Sequence, residues 1–231
     1  MFEVPPMKVA SKRKMQIIVD VLMTAVLLLQ MSYRIAGELF HEISGIAFLV
    51  LFLLHHILSF SYTKALFKGR KSADRVLKSI VDCLLFIIYI CMMISAVPLS
   101  KYIFTFLGIG TFSGISRSVH MLGAYWGFAL IGIHIGFHLD IMLKKPLRDK
   151  KKKPFVIAAL CAVFSAGLIL FIKEGIIKYM LFINQFVYFD ESCGLALFLL
   201  KYILIGGMFA VAGYLLIHIL QRRKTTHEHH H

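Results

Sequence analysis

Hydrophobic residues along this chain gather into six long runs, at about 15–31, 41–62, 80–97, 119–143, 154–172 and 194–220, separated by short polar or basic segments. A helix of roughly 20 apolar residues crosses the hydrocarbon core of a bilayer, so each run predicts one membrane-spanning helix. Proline punctuates two of them: Pro98 closes the third and Pro154 opens the fifth, as expected of a residue that disrupts a helix interior but fits its first turn. Segment 98–118, PLSKYIFTFLGIGTFSGISRS, is too broken by Gly and Ser to span and reads as a surface connection. Segment 176–193 carries aromatics and scattered charges and reads as an interfacial stretch. The fold class is therefore all-α: a polytopic membrane protein, a bundle of six transmembrane helices.

Composition fits that environment, with 59% hydrophobic residues, 16% charged residues and a mean hydropathy of +0.79. A net charge of +14 would suit nucleic acid on a soluble domain. Here, however, Lys and Arg sit between apolar runs and not on a face interleaved with aromatics, so no nucleic-acid partner is expected. Four basic residues precede the first run, six lie between Lys64 and Lys78, seven between Lys144 and Lys153, and three follow the sixth run. The other connections carry only Arg34, Lys101, Arg117, Lys173 and Lys178, so the positive-inside rule predicts both termini and both basic loops in the cytoplasm, N-in and C-in. The expected location is the cell membrane, multi-pass, in a prokaryotic cytoplasmic membrane, with lipid as the principal surround. Residues 1–224 read as a single transmembrane domain, and 225–231 as a tail ending in a tag remnant. Cysteines 83, 91, 161 and 193 show no CxxC or CxxCH spacing; the three within apolar runs read as packing residues.

Histidine is the chemistry-bearing residue of the apolar runs. The second run opens HEISGIAFLVLFLLHH, placing His41 and His55 14 residues apart; the fourth repeats the interval at His120 and His134. On a helix, 14 residues rise about 21 Å and turn about 40° short of four full turns, so each pair shares a face at two depths. Both runs proceed from outside to inside, which puts His41 level with His120 and His55 level with His134. Imidazoles inside a membrane usually face a functional interior. Two pairs at matched depth suit the axial ligation of two b-type haems, one above the other, the four histidines binding haem iron. A zinc site fits less well, because the two levels are too far apart to close one tetrahedron.

Other residues take expected places around those levels. Gly45, Gly123, Gly127, Gly132 and Gly136 would admit a flat macrocycle or a neighbouring helix. Phe48 and Gly127 each fall seven residues after the outer histidine of their ladder, on the ligand face at mid-height, where the ring would fill the gap the glycine leaves. Arg34, Arg117 and Lys101 lie near the outer level and Lys64, Lys144 and Lys145 near the inner one, where haem propionates would want cations. His56, one residue beyond His55, turns about 60° to the other side and is the less suitable ligand. Near the inner membrane depth, Asp82, His138, His218 and His56, with Asp20 and Asp140, form a candidate quinol or proton site. Their ordinary reading is that Asp20 and Asp82 answer a helix macrodipole and that His218 sits among headgroups.

The ladders, segment 98–120 and the HIGFH sequence at 134–138 resemble the flavinylation-associated membrane cytochromes over residues 15–140, and the paired ladders are similar to the transmembrane part of ferric reductases and NADPH oxidases. The resemblance implies six helices, two b haems and electron transfer across the membrane, from a cytoplasmic-side or quinol donor to an extracytoplasmic flavin-carrying or other redox protein. Where that family commonly has a tryptophan near the end of each ladder helix, this chain has Phe60 and Leu139. No GxGxxG fingerprint follows a strand, and there is no room for a nicotinamide-binding domain, so the expected role is that of an electron-transfer subunit within an oxidoreductase system. Two alternatives compete with it: a quinol-oxidising cytochrome b subunit of a dehydrogenase or hydrogenase complex, and a haem-free proton-coupled transporter.

Overall fold

The computed structural model describes residues 9–68, 72–184 and 194–228. Its elements in chain order are α1 (Val9–Met31), α2 (Tyr33–Ala36), α3 (Glu38–Phe67), α4 (Ala73–Ala96), α5 (Ser113–Arg148), α6 (Lys153–Lys173), α7 (Ile176–Met180) and α8 (Leu195–Glu228). Three 3-10 turns, Val97–Leu99, Thr105–Leu107 and Gly110–Phe112, connect α4 to α5. Among the described residues six helices are long and apolar enough to cross a membrane, in Ala10–Met31, Glu38–Ala65, Ala73–Leu99, Ser113–Arg148, Lys153–Lys173 and Leu195–Gln221. The chain is an all-α, multi-pass membrane protein. Each helix runs past its apolar run into polar residues, because Lys, Arg and Glu are good helix formers and hydropathy marks the slab, not the end of the helix. Residues 113–118, expected as part of the broken connection, form the first turns of α5.

The chain divides into two compact units, one up to Arg70 and one from Lys71. The first is a helical hairpin. α1 buries Val19, Met23, Leu27 and Met31, a row at four-residue intervals, and α3 buries Ser44, Phe48 and Phe52 at the same interval. Such rows are the ridges by which helices interlock. Polar clasps fix the antiparallel register at both ends: Gln16 Nε2 donates to the Leu58 carbonyl at 3.0 Å, and Gln30 Nε2 to the His41 carbonyl at 3.1 Å and to Ser44 Oγ at 3.2 Å. In hydrocarbon a side-chain amide must find such partners, so these bonds select one register. The reversal itself is made at Ser32 and Gly37. Ser32 is fully buried and donates to the Leu29 carbonyl at 2.7 Å, and Gly37 adopts φ 92°, a conformation a side chain would strain.

The second unit is built on α5, which packs against α4 on one side and α8 on another, with α6 against α8. The glycines set these approaches. A Cβ on Gly132 would stand 2.6 Å from Phe209 Cβ, one on Gly136 would run into the Ala210 carbonyl and the Tyr214 nitrogen, and one on Gly213 would strike the Ile133 backbone. α5 and α8 therefore meet backbone to backbone, the close packing that small residues permit in membranes. α7 is tucked in instead of lying along the interface: Ile176, Tyr179 and Met180 are buried, and Trp126 Nε1 donates to the Met180 carbonyl at 2.9 Å. Residues 185–193 of the expected interfacial stretch, Cys193 among them, lie outside the described residues. Cys83, Cys91 and Cys161 are exposed on their helices, so they are not the packing residues the apolar context suggested. Helix periodicity turns those three positions to the outer face of the protein, where lipid accommodates a thiol as readily as an apolar core does.

Candidate functional site

The two inner histidines of the ladders are held in the same way. In the first unit His55 Nδ1 on α3 lies 2.7 Å from Asp20 Oδ1 on α1. In the second, His134 Nδ1 on α5 lies 2.7 Å from Asp82 Oδ1 on α4. Each pair joins neighbouring antiparallel helices and uses the same nitrogen and the same kind of acceptor. An ionised carboxylate can only accept, so beside an ionised aspartate each imidazole donates from Nδ1–H. Neither aspartate sits in the first turn of its helix, where the macrodipole acts. Asp20 is about three turns inside α1 and Asp82 about two and a half turns inside α4. The helix-start explanation for these residues is thus replaced by a specific partner, and Asp82, expected in a quinol or proton site, holds a ladder histidine.

The outer histidines have different surroundings. His120 Nδ1 donates to the Met92 carbonyl of α4 at 3.2 Å, with Ser95 Oγ at 3.5 Å; Ser95 also donates to that carbonyl, at 2.8 Å. A carbonyl oxygen has two lone pairs, so the Met92 carbonyl, in the last turns of α4, can accept from these side chains as well as from the helix backbone. His41, in the first turn of α3, meets the Tyr33 ring edge-on at 5.1 Å, and Tyr33 Oη donates to Glu38 at 2.8 Å. His56 Nδ1 donates to the Phe52 carbonyl of its own helix at 2.8 Å.

The remaining expected residues separate into those near the ladders and those engaged elsewhere. His138 lies against His134, ring centroids 5.0 Å apart, so Asp82, His134 and His138 form one contiguous set. His218 stacks on Tyr214 one turn earlier on α8. Arg117 is exposed on α5, one turn before His120, and the Arg34 side chain lies outside the described residues. Phe48 is 2% exposed and so turned away from lipid. The gap expected beside Gly127 is filled from α4: a Cβ there would stand 3.4 Å from Ile88 Cγ2 and from the Tyr89 ring. Gly123 faces Met92 and Ile88, Gly45 faces Gln30, and Gly132 and Gly136 face α8. All five ladder-helix glycines thus serve helix packing, and the room they leave is taken by protein. At each of the five positions the atoms nearest an added Cβ belong to a neighbouring helix.

A haem held between two histidines requires each imidazole to present Nε2 with Nδ1–H tethered, since the tether fixes both tautomer and ring orientation. In His55, His134 and His120 the Nδ1 position is tied to a carboxylate or carbonyl oxygen, so Nε2 is the atom each could offer to a haem iron. Among the described residues no group of three or more His, Cys, Asp or Glu side chains is arranged to enclose a bare metal ion. Together the fold and the site define a class: an all-α polytopic membrane protein in which each of two units ties a histidine to an aspartate inside a pair of membrane-spanning helices. No family model, curated protein or solved structure matches this chain.

Proposed function

We propose that this protein is a transmembrane electron conduit that carries two b-type haems at two depths, with His41 and His120 as ligands at the outer level and His55 and His134 at the inner one. The observation that carries this reading is the identical Nδ1–carboxylate tether on His55 and His134, two residues already matched by the 14-residue ladders. Bound there, the two groups would supply one-electron relay sites spanning the bilayer. The chain's own residues do the rest: α3 and α5 set the vertical separation, Asp20, Asp82 and the Met92 carbonyl fix three imidazoles, and apolar helix faces exclude water. The resemblance to flavinylation-associated cytochromes supports a cytoplasmic-side or quinol donor and an extracytoplasmic flavin-carrying or other redox protein as acceptor, in a prokaryotic cytoplasmic membrane.

A second reading draws on the same pairs. Aspartate–histidine pairs inside membrane helices also serve proton pathways, so a haem-free proton-coupled transporter is the competing class. Absorbance divides the two. The purified full chain, expressed with haem supply, is expected to show a reduced-minus-oxidised b-type spectrum and two protohaems per chain by pyridine haemochrome. His55→Ala and His134→Ala should each lose one, while His56→Ala should keep both. A wild-type chain without haem would remove the conduit reading and leave the transporter.

A further inference from the structure

Seven of the ten residues from Lys144 to Lys153 are basic, and Asp149 is the one acid among them. The structure gathers them into a tight connection: α5 runs on to Arg148, beyond its apolar run, and α6 begins at Lys153. Asp149 fixes the turn. Its Oδ1 accepts from the Lys151 N–H at 2.9 Å, and its carbonyl accepts from the N–H groups of Lys152 and Lys153 at 3.2 and 2.9 Å. All seven cationic residues are exposed, and among the described residues none of the seven is held in an ion pair. Helix electrostatics account for Lys145 and Arg148, at the C-terminal end of α5, but oppose Lys151, Lys152 and Lys153, which stand at the N-terminal end of α6. An orientation signal is met by the three or four basic residues found at either end of the chain. Like charges this close repel one another, so anions from outside the chain would stabilise the cluster.

The side chains that flank the cations identify the anion. Ile141 and Met142, at the end of the α5 apolar run, and Phe155, in the first turn of α6, are 71%, 72% and 78% exposed. Two membrane-spanning helices put these side chains at the edge of the hydrocarbon and the cations just beyond it, at the depth of lipid phosphates. A ligand that meets both surfaces has an anionic head and acyl chains, whereas a soluble acidic protein or a nucleic acid would meet the cations alone. We propose that the α5–α6 turn is a binding site for anionic phospholipids, whose phosphates sit among Lys150, Lys151, Lys152 and Lys153 while their chains cover Ile141, Met142 and Phe155. The site lies wholly within the second unit and needs no haem.

The test uses the full chain in phosphatidylcholine vesicles carrying spin-labelled phosphatidylglycerol or spin-labelled phosphatidylcholine, whose immobilised fractions give the preference of the lipid shell for the anionic headgroup. Wild type should favour phosphatidylglycerol by about fivefold or more, the effect of even one cation near an anionic surface. The preference should fall on going to about 1 M salt, where charges are screened beyond about 3 Å. Combining Lys150→Gln, Lys151→Gln, Lys152→Gln and Lys153→Gln should remove most of it, and the smaller change of Lys151→Gln with Lys152→Gln should remove part. Arginine at the same four positions should keep it. Neutralising the other basic segment, with Lys64→Gln, Lys68→Gln, Arg75→Gln and Lys78→Gln, should leave most of it. Lys144, Lys145 and Arg148 stay in every variant to hold the topology. A wild-type chain with no preference, a preference insensitive to salt, or equal loss in the two fourfold-neutralised variants would overturn the proposal. So would displacement of the labelled lipid by inorganic phosphate at constant ionic strength, since the turn would then be a site for free phosphate.

Discussion

At the scale of the residue, this chain is organised by polar side chains that would be costly in hydrocarbon without partners. Gln16, Gln30, Asp20 and Asp82 each reach across to a neighbouring helix, and each bond names one register among several that apolar packing would tolerate. Phe48 shows the apolar counterpart, seven residues from both His41 and His55 and almost wholly buried. Truncation to Ala should leave a cavity. Because lipid solvates the exposed side chain of the less-ordered state nearly as well as the core does, the loss falls at the lower end of the range for a buried Phe, about 3 kcal/mol, and consists mainly of lost packing. Thermal unfolding in detergent is expected to show a clear fall in Tm for Phe48→Ala. A Tm equal to wild type would contradict the burial of that ring. The ladder and its Phe were legible from spacing alone. The partner of Gly127 was not, since intervals along one helix say which residues share a face but not which neighbour covers it.

At the scale of the element, α5 decides most. It carries one ladder, receives the Asp82 tether from α4, and meets α8 through Gly132 and Gly136. At Gly136 an added methyl would face backbone atoms of Ala210 and Tyr214, which cannot swing aside as a side-chain tip can. Gly136→Ala should therefore separate the two helices and cost about 1–3 kcal/mol, as overpacking commonly does. Gly114, in the first turn of the same helix, has nothing within 4 Å of the place a methyl would take, so Gly114→Ala should be neutral or slightly stabilising through helix propensity. Paired thermal melts of the two variants test the crossing directly: similar Tm values for both would mean that α5 and α8 are not held backbone to backbone. The sequence marked these glycines as small surfaces for close approach, and left open whether a helix or a macrocycle made the approach.

At the scale of the whole molecule, six spans return the chain to the side on which it began, and twenty of the 26 Lys and Arg residues fall at the ends expected to face the cytoplasm. In a variant with all four cysteines replaced by serine, Ser72→Cys in the basic loop should react with a membrane-impermeant maleimide only in inverted vesicles. Thr105→Cys, in the 3-10 connection between α4 and α5, should react only in intact cells. Labelling of both positions from one side would overturn the six-span, N-in arrangement. The exposed Phe106, Phe112 and Ile115 near that second site suit a segment resting at the outer interface, where apolar and aromatic side chains partition.

The number of spans, their order and the proline stops were determined by the sequence, because hydropathy summed over some 20 residues is a local property and the bilayer imposes one length on every crossing. The 14-residue histidine interval was equally local, a consequence of helical pitch. Only the tertiary structure decided that Asp20 answers His55 and Asp82 answers His134, pairs separated by 35 and 52 residues. Such contacts depend on how far each antiparallel helix slides along its neighbour, and a slide of one turn would leave every hydrophobic run unchanged. What fixes the slide is the set of bonds themselves, Gln16 to Leu58, Gln30 to His41 and the two aspartates to their histidines, since a buried polar group without a partner costs more than any gain from an alternative apolar register.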